Sequence, residues 1–167
     1  MIFGMTTLTF AHVVISLVGI GSGFVVLGGF FAAKRLEVWN AIFLISTVAT
    51  SVTGFVFFPF ERFLPSHGLA SLSLLVLALA IVARYVRHLA GAWGWIYVLS
   101  AVIALYFNVF VLVVQLFEKV PALKALAPHQ SEPPFLVTQL VVLSVFFVFA
   151  IVALLRFRRG PIPQPRP

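Results

Sequence analysis

The chain has 167 residues, of which 62% are hydrophobic and 9% are charged, and its mean hydropathy is +1.17. A soluble domain carries about 25% charged residues, so the composition indicates a membrane protein of one domain and excludes a soluble enzyme module beside it. The absence of cysteine excludes thiolate metal sites and iron–sulfur clusters. The basic residues that give the net charge of +7 flank apolar runs, so we expect the protein to interact with the lipid bilayer and not with nucleic acid.

Five runs without charged residues predict five transmembrane helices, because about 20 apolar residues suffice to cross a bilayer. The predicted fold is all-α, a polytopic helix bundle that forms a single domain over residues 1–159. An odd number of spans places the two ends of the bundle on opposite sides of the membrane. The spans cover 7–33, 38–60, 65–83, 92–117 and 134–155, and residues 160–167 form a proline-rich tail.

The basic residues predict the orientation. Eight of them lie on one side of the spans and three on the other, so the positive-inside rule predicts an N-out, C-in topology with a cytoplasmic tail. Five aromatic residues near the basic side are expected to form a belt at headgroup level. The eight are Lys34, Arg35, Arg84, Arg87, Arg156, Arg158, Arg159 and Arg166, the three are Arg62, Lys119 and Lys124, and the aromatics are Trp39, Trp93, Trp95, Tyr85 and Tyr97.

The first two spans carry small and polar residues at helical spacing. Residues three or four apart share one face of a helix, and small residues there let two backbones approach closely. We therefore expect each of these faces to pack closely against another helix, with His12 pointing into the bundle. The first span contributes His12, Ser16, Gly19 and Gly23, and the second contributes Ser46, Thr50, Thr53 and Gly54.

Two connections on the predicted outer side break the apolar pattern. Residues 58–68 contain two prolines and a Glu-Arg pair, which predicts a corner at the membrane surface because proline interrupts a helix and charge is costly in hydrocarbon. His67 begins the next helix. The loop over 118–133 is the longest, and a short turn of helix is expected at 122–127 within it.

A set of polar side chains falls at similar depth near this outer side, since the first, third and fifth spans run in the same direction. His12, His67 and Gln139 lie in the first turns of their spans, and Gln115 reaches the same level from the fourth span. We call His12, His67, Gln115 and Gln139 the candidate outer layer. Polar side chains within membrane spans often mark functional sites, so these four residues are candidate site residues.

Several chemistries fit this layer, and they stay open at this point. His12 and His67 are suited to ligate a b-type haem, and imidazole with amide neighbours suits a quinone. His12 and His67 with His129 and Glu132 are metal-ligand types, and all these groups are equally suited to join helices. His88 is the only histidine on the inner side, so at most one haem is expected. No charge lies within a predicted span, which argues against an ion-coupled transporter or a proton pump.

The run 119–135, together with Arg84-Tyr85-Val86-Arg87-His88, resembles small bacterial inner-membrane proteins that have no established activity. The resemblance implies a bacterial inner membrane and a five-helix topology. The function we expect is a nonenzymatic module or an accessory subunit of a membrane complex. The alternatives are a redox module with haem or quinone near His12 and His67, and a receptor or carrier for a small apolar ligand. The oligomeric state stays open.

Overall fold

A computed structural model describes residues 6–57 and 65–157, with side chains described for 6–54 and 68–157. The described chain is all-helical and contains no strand. The corner at 58–64 and the tail at 160–167 lie outside the described residues. The helices are α1 (Thr7–Phe31), α2 (Glu37–Phe57), α3 (Pro65–Ile81), a π-helical turn (Val82–Val86), α4 (Trp93–Lys119), α5 (Pro121–Leu126) and α6 (Pro133–Phe157).

Four stretches of described helix are long and apolar enough to cross a membrane. They are Thr7–Phe31, Gly68–Val86, Trp93–Lys119 and Pro133–Phe157, which correspond to the predicted first, third, fourth and fifth spans. The predicted second span is helical too, as α2, but it is not among these four. The multi-helix bundle is thus confirmed, and its predicted start of α3 at Pro65 agrees with the structure.

α1 and α2 form an antiparallel hairpin. Ala33 adopts a φ of 54°, and the Lys34 N–H donates to the Gly29 carbonyl at 2.8 Å, a left-handed termination that satisfies carbonyls at the end of α1. A β-carbon at Gly29 would lie 3.0 Å from Leu36, so the returning chain packs directly on the helix it leaves. The turn ends α1 two residues before the predicted boundary.

α4 is the central helix. It packs against α1, α3 and α6, while α3 packs against α2 and α4. The core gathers small and aliphatic α4 residues with large residues of neighbouring helices, because small side chains allow close approach and large ones fill the remaining space. The most buried members are Phe43, Leu77, Ala80, Ala83, Tyr97, Val98, Ala101, Ala104, Leu105 and Ala153.

A π-helical turn joins α3 to the connection before α4. The Arg87 N–H donates to the Val82 carbonyl at 2.9 Å, a bond five residues back, where an α-helix would bond four back. The wider turn lets the consecutive residues Ala83 and Arg84 both face the bundle, and both are buried. His88 and Leu89 follow with φ values of 49° and 60°.

The long loop is ordered against α4 and α6. α5 covers most of the expected turn of helix at 122–127. Ala127 is fully buried, and the rings of Phe117 and Phe135 meet edge to face with centroids 5.4 Å apart. These contacts tie the loop to the start of α6, so the bundle has a capped end, which we call the loop end. The opposite end, with Lys34, Arg35, Arg84, Arg87 and Arg156, is called the arginine end.

Candidate functional site

The α1–α2 seam holds the histidine that the sequence placed inside the bundle. His12 Nδ1 lies 2.8 Å from Thr53 Oγ1, and Ser16 Oγ lies 3.3 Å from Thr50 Oγ1. A β-carbon at Gly19 would lie 3.2 Å from Ser46 Oγ. The predicted small-residue seam is therefore confirmed, and His12 is half-buried within it.

The hydrogen bonds around Thr53 decide the tautomer of His12. The Thr53 hydroxyl donates to the Ala49 carbonyl at 2.7 Å, so its oxygen accepts from His12. Nδ1 of His12 therefore carries the proton, and Nε2 carries the lone pair. A haem ligand needs that neutral form with an oriented ring, and an interhelical tether uses the same arrangement.

Gln139 lies in a different seam, between α6 and α4. Its Nε2 donates to the Phe110 carbonyl at 3.3 Å. Its Oε1 is buried and has no hydrogen-bond partner among the described residues. Gln115 is half-buried on α4. Gln139 thus belongs to the α4–α6 side of the bundle.

The candidate outer layer is consequently divided between seams. α1, which carries His12, packs against α2, α4 and α6, while α3, which carries His67, packs against α2 and α4. The side chain of His67 lies outside the described residues. A haem bridging His12 and His67 therefore stays a prediction, and the packing gives it no support.

His129 and Glu132 lie in the loop, where the carboxylate organises the backbone. Glu132 accepts hydrogen bonds from the His129 N–H at 3.1 Å and from the Ser131 N–H at 3.0 Å. Desolvation favours the neutral acid, but the backbone N–H donors of His129, Glu132 and Ser131 outweigh it and lower the pKa of Glu132. Across the described side chains, no group of three or more His, Asp or Glu is placed to hold a metal ion.

A second polar group lies at the arginine end. Arg84 forms an ion pair with Glu37, and the Tyr97 hydroxyl donates to Asn40 Oδ1. The Arg84 guanidinium carbon lies 5.1 Å from the Tyr97 ring centroid, which joins the two pairs. We call Glu37, Asn40, Arg84 and Tyr97 the Tyr97 network.

The Tyr97 network is deeply buried except at Glu37. Asn40 and Tyr97 are each 1% exposed. Tyr97 was expected in the aromatic belt, and that prediction is wrong. Its ring packs edge to face on Phe30, with centroids 5.6 Å apart, because its hydroxyl finds a partner within the bundle. Trp39, Trp95 and Tyr85, other members of the expected belt, are exposed.

A cavity of about 260 Å³ opens beside this network. Two parts of the chain meet there, namely the α1–α2 turn with the start of α2, and the π-helical turn with its following residues. We call it the Arg84 cavity, and its lining residues are Arg35, Glu37, Arg84, Tyr85, His88 and Leu89.

Sequence reasoning missed the Arg84 cavity because it assigned Arg84 to orientation alone. One signal was present. Glu37 is the only acidic residue in the sequence among the basic residues of this end. Because a buried charge needs a counter-charge, Glu37 could have indicated that one of these arginines is buried and paired with it. Comparisons with protein-family models, curated proteins and solved structures give no match.

Proposed function

We propose that the protein is a five-span membrane protein of the bacterial inner membrane, oriented N-out and C-in, and that it serves as a nonenzymatic accessory subunit of a membrane complex. The observation that carries the proposal is the distribution of polar groups. Those described within α1, α2 and α4 mostly bond across helix seams or to their own helix, while the outward faces of the helices are apolar. Such a bundle is built to sit in lipid and contact other helices.

The fifth span in this proposal is α2. Its contacts with α1 run from Thr53 opposite His12 to Phe43 opposite Gly23 and on to the turn at Leu36. A helix paired antiparallel along the length of a crossing helix returns through the same thickness of bilayer. This pairing supports five spans.

α6 offers the surface for the rest of the complex. It packs against α4 and α1, yet most of its length remains exposed. Its exposed apolar residues follow one another along the helix: Leu136, Val137, Leu140, Val141, Leu143, Val145, Phe147, Val148, Ile151 and Leu155. A partner helix lying there would bury these side chains without disturbing the core.

The test is purification of the full chain from native membranes in a mild detergent. We expect stoichiometric partner chains to co-purify with the wild type. Val148→Trp on α6 should reduce their recovery severalfold, because the larger ring displaces a packed helix. Val52→Trp is the matched control, since Val52 is similarly exposed on α2. Purification of a lone chain at full yield, or equal loss in both variants, would overturn the accessory role.

A further inference from the structure

We propose that the Arg84 cavity binds the phosphate of an anionic phospholipid headgroup. This inference rests on the proposed function, because the protein must be inserted in a membrane, and it assigns a lipid ligand to the arginine end. Five of the six lining residues carry charged or polar side chains, and the lining is drawn from two separate parts of the chain. Such convergence of polar groups on one cavity marks a binding site more strongly than a surface charge cluster does.

Arg84 provides the buried donor. Its side chain is 5% exposed, and it directs one terminal nitrogen to Glu37. Its Nε is buried and has no hydrogen-bond partner among the described residues. Leaving a buried donor without a partner lowers stability, and a phosphate oxygen is a strong acceptor for guanidinium groups.

Arg35 and His88 complete the donor set from other elements. The Arg35 guanidinium carbon lies 5.9 Å from the Phe157 ring centroid, so the end of α6 holds this cation beside the cavity. His88 is held by a left-handed backbone conformation after the π-helical turn, and such turns are frequent at functional sites. The two side chains face the cavity beside Arg84.

The charges select a singly charged anion. Arg35 and Arg84 contribute two positive charges and Glu37 one negative charge, which leaves one positive charge for the ligand to neutralise. Glu37 is the one acidic residue in the cavity lining, and it is already paired with Arg84. The lining therefore favours an anionic ligand over a cationic one. A phosphodiester carries one negative charge and fits this balance.

The surroundings favour lipid over free phosphate as the source. Exposed aromatic side chains, Trp39, Tyr85 and Trp95, lie near the same end, and such residues prefer the headgroup level. Val38, Val82 and Val86 are exposed close by in sequence to the lining residues, which provides apolar surface for acyl chains. A phospholipid satisfies both the charged cavity and the apolar rim.

Native mass spectrometry of the delipidated full chain tests this proposal, with phosphatidylglycerol, phosphatidylcholine and inorganic phosphate added separately. We expect one retained phosphatidylglycerol and weaker retention of phosphatidylcholine, which has no net charge. Arg35→Gln should lower phosphatidylglycerol retention about tenfold, as for the loss of one strong ionic contact. Lys34→Gln is the matched control, because Lys34 is the adjacent exposed cation and does not line the cavity, and it should retain wild-type binding.

Equal losses in Arg35→Gln and Lys34→Gln would show only surface attraction and overturn the cavity as the site. Inorganic phosphate binding as tightly as the lipid would overturn the lipid as the source. Retention in alkaline carbonate extraction is measured on native membranes from the same cells before solubilisation, because release from the membrane would overturn the proposed membrane function. Firm retention without a lipid adduct would overturn the headgroup site alone.

Discussion

Arg84 and Glu37 form an ion pair whose partners differ greatly in exposure, 5% for Arg84 and 70% for Glu37. Removing Glu37 leaves a buried guanidinium without its counter-charge, whereas removing Arg84 leaves a carboxylate that water reaches. We therefore expect Glu37→Gln to lower the free energy of unfolding more than Arg84→Met does. The difference should be only about 1 kcal/mol, because solvent around the exposed Glu37 carboxylate screens the ion pair. Unfolding in mixed micelles, followed by tryptophan fluorescence, measures the difference.

The double variant distinguishes this asymmetry from a general loss of packing. If Glu37 acts through Arg84, adding Glu37→Gln to Arg84→Met should change stability little. Additive losses in the double variant, or a greater loss for Arg84→Met alone, would contradict the interpretation.

The loop carboxylate Glu132 sets a pH dependence at the other end of the bundle. Its pKa is lowered from the ordinary value of 4.5, with backbone N–H donors outweighing desolvation. A lowered pKa in the folded state means that the ionised group stabilises the loop above pH 4.5 and that this contribution is lost as the pH falls through the folded-state pKa. We expect the His129 amide resonance, measured by NMR in micelles, to titrate below pH 4.5.

Glu132→Gln is the control for that titration, since the amide keeps an oxygen acceptor but does not ionise. The His129 amide should then show no titration in the same range. A midpoint at or above 4.5 in the wild type, or an unchanged curve in the variant, would contradict the role assigned to the carboxylate.

At the scale of the helices, Gly23 has the closest neighbours of the glycines in the described part of the chain. A β-carbon there would lie 2.6 Å from Leu105 Cδ1 and 2.9 Å from Phe43 Cε2, so these side chains of two neighbouring helices would have to shift. We expect Gly23→Ala to lower the free energy of unfolding by about 1–3 kcal/mol, the usual cost of overpacking. Gly21→Ala is the control, because nothing lies within 4 Å of its β-carbon position and alanine favours the helix.

Thermal unfolding of the two variants in the same detergent measures this difference. Gly21→Ala should unfold at or above the wild-type temperature and Gly23→Ala clearly below it. Similar shifts for both variants would mean that Leu105 and Phe43 do not pack tightly against Gly23.

The elements differ in how far the sequence determined them. The His12, Ser16 and Gly19 face was predictable because small and polar residues at helical spacing have one common use in a bundle. The π-helical turn was not, because no residue in Val82–Val86 signals a bond five residues back. That turn buries Arg84 beside Tyr97, so the sequence placed both residues at the surface and missed the cavity they help to form.

For the whole molecule, polar groups at the two ends of the bundle are used differently. Near the loop end, His12 and Gln139 bond to different neighbours, Thr53 and Phe110, and they share no described contact. At the arginine end, side chains from two separate parts of the chain line one cavity. The candidate outer layer was predicted only from the depth of its residues in the membrane, and depth does not determine which helices are neighbours.

The proposed five spans rest on the pairing of α1 with α2 and the proposed orientation rests on the basic residues, and this topology is the prediction with the widest consequence. If α2 crosses, the bundle has five spans, the loop at 120–132 lies outside and the end of α6 lies inside. A phosphatase reporter, active only outside, should therefore be active when inserted after Ala127 and inactive when fused after Phe157. A reporter active in the cytoplasm should give the reverse pattern. Outside activity at both positions would mean that α6 does not cross, and inside activity at Ala127 with outside activity at Phe157 would invert the orientation. The inverted orientation would also move the Arg84 cavity away from the cytoplasmic surface on which its proposed lipid depends.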